Sequence, residues 1–134
     1  MQLSTSNSPH SVRVTADRLL AAIESRGSQV FARVDHAGGA RAVGLELPDE
    51  ELLIFGDPRA GTSLMQADAK VGHELPLRLL VWDADGQTTI GFRSPLDLAG
   101  DYDVADHADL LERMRGLLEQ LVAEAQRAPE AKLR

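Results

Sequence analysis

The stretch from Leu52 to Gln66, LLIFGDPRAGTSLMQ, gathers polar side chains where a strand hands over to a helix. An apolar run stops at Gly56. Asp57 suits an N-cap, and Pro58 is preorganised for the first helical position. Free backbone N–H groups at such a junction can hold a ligand. On that reading Arg59 pairs with a small anion, while Thr62, Ser63 and Gln66 supply polar contacts. The Asp57 carboxylate competes with an incoming anion for the helix end, and the Gly-x-x-x-x-Gly-Lys spacing of a phosphate loop is missing. The structural alternative is a capped helix that packs Leu64 and Met65 inward.

Asp35 and His36 form the second candidate. A histidine beside a carboxylate, ahead of the Gly-rich HAGGARAVG, could act as a general base or hold a metal. Neighbours on an extended strand point to opposite faces, so Asp35 orients His36 only if the chain turns there. With Arg59 as anion clamp, His36 as acid/base would suit an enzyme acting on a small anionic or carbonyl substrate. Metal binding has little support: His10, His36, His73 and His107 are scattered, with no pair at helical spacing. Asp101, Asp103, Asp106 and Asp109 resemble a calcium loop only faintly, because Ala105 and Asp106 stand where an oxygen ligand and a Gly are required. Neither the Gly-x-Ser-x-Gly elbow of a serine hydrolase nor the Gly-x-Gly-x-x-Gly of a dinucleotide site occurs. Arg33, Arg41 and Arg59 could make a local basic patch for a small anion, or simply stand solvated at the surface.

These residues need a scaffold. His10 to Val14 reads as a short strand, with Thr15 capping a helix from Ala16 that carries Asp17 in its first turn and Leu19, Leu20 and Ile23 on its apolar stripe. Gly27 stops that helix. Gln29 to Asp35 alternates Val30, Ala32 and Val34 against Phe31 and Arg33, as a strand does. The Gly-rich segment allows one helical turn. Glu51 to Phe55 is a strand, and a helix runs from Pro58 to about Asp68 with Gly61 as a weak point. Leu77–Trp82 and Thr88–Arg93 flank an Asp85-Gly86 turn and form a hairpin. Asp106 caps a long helix to about Arg127, with a wide stripe from Leu110 to Ala125. The expected fold class is α+β: a mostly antiparallel sheet of about five strands, two main helices on one face, and a short helix after Pro58. Residues 9–128 make one domain, between a disordered lead-in at 1–8 and a tail at 129–134.

Composition sets outer bounds. A chain of 134 residues can bury a core without staples. Cys is absent, which removes disulfides, thiolate nucleophiles and Cys-held metals. A net charge of −7 repels polyanions and argues against nucleic-acid partners. No apolar run is long enough for a membrane span, and MQLSTSNSPHS lacks both the basic start and the apolar core of a signal peptide. The cytoplasm is the expected location, and no cofactor is implied.

Three blocks in unbroken order, VFARVDHAGGARAVGLEL, LLIFGDPRAGTSLMQ and LPLRLLVWDADG, resemble the bacterial and archaeal family known as domain of unknown function 302. The resemblance spans roughly Val12 to Asp97. It implies a fold like that of the TATA-box-binding-protein class, strand–helix–four strands–helix, and often a homodimer. It implies no settled activity. Other branches carry a Cys and an Asn just ahead of the matching Pro; Gly56 and Asp57 stand there here, so a thiol-dependent role does not carry over. Apolar residues also load both faces of the central strands: Leu77, Leu79 and Val81 against Leu80 and Trp82, and Leu53 and Phe55 against Leu52 and Ile54. Two buried faces point to a homodimer, unless the Gly-rich segment and the Pro58 helix cover the second face within one chain. The sequence thus reads as a small soluble binding or accessory module, with Asp35, His36, Asp57, Arg59, Thr62, Ser63 and Gln66 as candidate ligand contacts.

Overall fold

In the computed structural model, which describes residues 2–128, the chain opens with an edge strand, β1 (Ser4–Asn7). This strand lies within the lead-in expected to be disordered, and it replaces the strand expected at His10–Val14. Its four residues, STSN, carry no apolar side chain; they are held through pairing with the hairpin strand β5 (Gln87–Phe92), Ser4 opposite Phe92 and Asn7 opposite Thr89. The valines assigned to a strand belong instead to helix α1 (Val12–Ser25). Ser11, not Thr15, is the N-cap, its hydroxyl accepting from the Val14 N–H at 3.2 Å. Val12, Ala16, Leu19 and Ile23 then fall on one helical stripe and are buried. Thr15 is buried too, its hydroxyl bonded to that of Ser8 at 2.7 Å.

Strand β2 (Gln29–Asp35) has its expected bounds, but a bulge interrupts its alternation. Val30 pairs with Phe55 and Ala32 with Ile54, so Phe31 is the extra residue and Val30 faces the other way from Ala32 and Val34. Helix α2 (His36–Ala42) is longer than one turn and is capped by Asp35, which accepts from the Gly38 N–H at 2.9 Å. A Cβ on Gly38 would come within 2.4 Å of that carboxylate, so the cap requires glycine there. Strand β3 (Glu50–Gly56) leads through Asp57 into α3 (Pro58–Ala67), with the Asp57 carboxylate accepting from the Arg59 N–H at 3.0 Å. The expected strand–cap–Pro–helix junction is present.

A 3-10 turn at Ala69–Glu74 leads to β4 (Leu77–Ala84), which closes a hairpin with β5 through Asp85 (φ 53°) and Gly86 (φ 90°). Positive φ at both turn residues matches the right-handed twist of the strands. After the short helix α4 (Leu98–Asp101) comes α5 (Ala108–Ala125). Asp106 does not cap α5; it lies inside a 3-10 turn, Ala105–His107, and no side chain caps the junction. The expected tail at 129–134 lies outside the described residues.

The sheet is five-stranded and antiparallel, in the order β1-β5-β4-β3-β2. Helices α1 and α5 pack on one face over Leu53, Phe55, Leu79, Val81 and Ile90, all 1% exposed or less. Each such side chain contributes on the order of 1.5–3 kcal/mol by leaving water. A second, smaller cluster joins Leu64 of α3 to Val71, Leu98, Val104, Leu111 and Met114. The Pro58 helix therefore belongs to the helical layer beside α5. Cross-strand pairing puts Val34, Leu52 and Leu80 on the opposite sheet face, where they are half-buried.

Candidate functional site

The junction after β3 builds one wall of a cavity of about 340 Å³. Gly61 and Met65, one turn apart on α3, line it together with Pro58 and Thr62, likewise one turn apart. Leu75 and Pro76 form a second wall, Met114 and Leu117 of α5 form the base, and Phe31 joins from the β2 bulge. The lining is mostly aliphatic, aromatic and thioether, and Asp57 is its charged member. A volume of this order with few polar groups is usual for a small-molecule site. The bulge explains why an aromatic side chain reaches this place: its extra residue breaks the alternation that would keep Phe31 on a sheet face. Phe31 remains 48% exposed.

The candidate residues do not converge on that cavity as a set. Asp57 and Thr62 line it. Arg59, Ser63 and Gln66 occupy a different stripe of α3 and are outside its lining, and the Ser63 hydroxyl donates to the Arg59 carbonyl at 3.2 Å. Asp35 and His36 stand at the far end of the sheet. Gln29 pairs with Gly56 whereas Asp35 pairs with Glu51, and six residues of strand separate those points by roughly 20 Å. The geometry thus separates His36 from Arg59. Only Asp57 and Thr62 of the lining are candidate contacts from the sequence; Phe31, Gly61, Met65, Leu75, Met114 and Leu117 are among the lining residues that sequence reasoning missed. Gly61, an unfavourable residue inside a helix, was their one visible signal.

A second concavity, of about 380 Å³, opens where the half-buried sheet face meets the Ser94–Leu98 segment, and it includes Glu74, Arg78 and Arg93. Its charges are matched internally. Arg93 is paired with both Glu74 and Asp101, and Arg78 lies 3.5 Å from Glu74. Arg33, from the proposed basic patch, is likewise held by Glu51 at 2.5 Å and Asp17 at 2.7 Å, which raises its pKa further above the ordinary guanidinium value. Beside α3, Asp68 joins the two ends of the small cluster. Its carboxylate accepts from the N–H groups of Asp103 at 3.0 Å and Lys70 at 3.1 Å, and these bonds hold it below the usual carboxylate range. Among the described residues, no group of three or more acidic or histidine side chains is placed to hold a metal ion.

This fold matches a known structure, that of an uncharacterized conserved protein DUF302 from Bacillus stearothermophilus. The TM-score is 0.81 at 22% identity, covering 95% of this chain and 99% of the other. The family model described as "Domain of unknown function DUF302" matches residues 4–121. The chain belongs to the DUF302 family. This DUF302 domain is also 42% identical over 109 residues to a fluoride-specific ion channel FluC 1 of Brucella suis biovar 1 (strain 1330). The match covers 81% of this chain and 43% of that protein. A fluoride-specific ion channel FluC 2 of Brucella melitensis biotype 1 matches equally, with 40% of its length covered. The DUF302 domain therefore spans about two fifths of these curated relatives, and no helix among its described residues is long and apolar enough to cross a membrane.

Proposed function

We propose that this DUF302 domain is an accessory module of the bacterial cytoplasm that binds a small molecule in the α3 cavity. The observation that carries the reading is the cavity itself: about 340 Å³, largely apolar, and lined by residues from β2, α3, the Leu75-Pro76 segment and α5. The accessory role draws support from the curated relatives. They are named ion channels, yet the matched segment covers about two fifths of them and here contains no membrane-crossing helix among the described residues. The segment thus reads as a module carried beside the channel-forming part.

We also infer a homodimer that uses the second sheet face. Leu52, Ile54, Leu80 and Trp82 are half-buried there, and Leu3 beside them is 38% exposed. A second copy of the same face, related by a two-fold axis, would bury these residues against their equivalents.

A thermal-shift screen against metabolites, run on the wild type and on Gly61→Phe, tests the binding reading. A ligand at one hundred times its Kd adds about 2.7 kcal/mol of stability. The reading expects compounds that stabilise the wild type and fail on the filled variant. Equal stabilisation of both proteins would place binding elsewhere and refute it.

A further inference from the structure

We infer that the ligand of the α3 cavity is a small organic ammonium, a compact apolar body carrying one amine. The inference rests on the reading that this cavity binds a small molecule. Its first support is charge. Asp57 is the charged residue of the lining, and among the described residues no basic side chain forms an ion pair with it. Its Oδ1 is engaged by the Arg59 N–H, which leaves Oδ2 to accept from a ligand. An anion entering here would face that carboxylate, and Arg59, the natural counter-charge, is outside the lining.

The second support is Phe31. Phe31 is 48% exposed and lines the same cavity as the Asp57 carboxylate, so an ammonium bound there has an aromatic ring as well as a counter-charge among the lining groups. The third is the remaining wall. Met65, Leu75, Met114 and Leu117 carry no charge and no strong acceptor, and they suit the hydrocarbon that carries the ammonium. The positive end of the α3 dipole opposes a cation, and the capping carboxylate offsets it. A whole-molecule charge of −7 also draws cations toward the surface.

Three probes of one shape separate the possibilities: benzylamine, benzyl alcohol and benzoate, titrated while the methyl resonances of Met65 and Met114 are followed. One unit charge about 4 Å from a carboxylate in water contributes about 1 kcal/mol, or roughly fivefold in affinity. Benzylamine should therefore bind about fivefold or more tighter than benzyl alcohol, with benzoate weakest. Asp57→Asn keeps a good helix cap while removing the charge, and should bring the amine down to the affinity of the alcohol. Phe31→Leu, which leaves the cap untouched, should weaken the amine more than the alcohol. Alcohol or benzoate binding as tightly as the amine overturns the ammonium assignment and leaves the cavity reading standing. No response of either methionine to benzylamine also overturns the ammonium assignment, while the thermal-shift comparison with Gly61→Phe decides the cavity reading separately.

Discussion

Gly61 leaves open the space that makes the cavity. A Cβ there would meet Leu75 Cδ1 at 3.7 Å and Met65 Cε at 3.8 Å, both ordinary contacts. Alanine therefore fits, and it relieves the cost of glycine inside a helix. Gly61→Ala should stabilise the protein by about 0.5–1 kcal/mol, readable as a higher denaturant midpoint at unchanged m-value. The neighbouring cap behaves oppositely: Asp57→Ala should cost about 1 kcal/mol and Asp57→Asn much less, because Asn can also accept from the Arg59 N–H. Asp68 gives a pH signature. Its folded-state pKa is depressed by two backbone N–H donors, so its contribution is present above the unfolded-state value of about 3.9 and is lost as pH falls through the lower folded value. Protection factors of the amides in the Ala69–Glu74 turn, that is, exchange relative to the intrinsic rate at each pH, should fall below that range in the wild type. In Asp68→Ala the same segment should exchange faster already at neutral pH.

At the scale of elements, the fold was legible wherever hydrophobic periodicity or turn chemistry carries it. The bounds of β2, the α3 cap and Pro58, the Asp85-Gly86 hairpin and the buried stripe of α5 all follow from local rules. The misreadings have equally local causes. STSN is a strand by backbone pairing at an edge, with no side-chain pattern to announce it. Val12 and Val14 looked like strand alternation, but only Val12 is buried, and it continues the helical stripe of Ala16, Leu19 and Ile23. The Phe31 bulge depends on how β2 meets β3, a tertiary fact that no window of sequence carries. The cavity was hidden for the same reason, since its walls come from segments far apart in the chain. The α5 stripe yields its own test. Leu118→Ala, at a site 1% exposed in the main core, should cost about 2–5 kcal/mol in denaturant unfolding.

For the whole molecule, a helical layer holds the cavity, and the proposed homodimer would use the opposite, half-buried sheet face. Sedimentation equilibrium at micromolar protein should give a mass near twice 14.5 kDa, and Leu80→Asp, at a half-buried position on that face, should return it to the monomer value. A wild-type mass near 14.5 kDa would refute the dimer. Methionine-methyl NMR of the intact protein reads the cavity directly, because Met65 and Met114 both line it. Titrated with a compound that raises the melting temperature, the two methyl resonances should shift together and saturate with one Kd, and Gly61→Phe should abolish both shifts. Stabilisation by that compound with both methionine resonances unmoved would place its binding outside the α3 cavity and refute the proposed site.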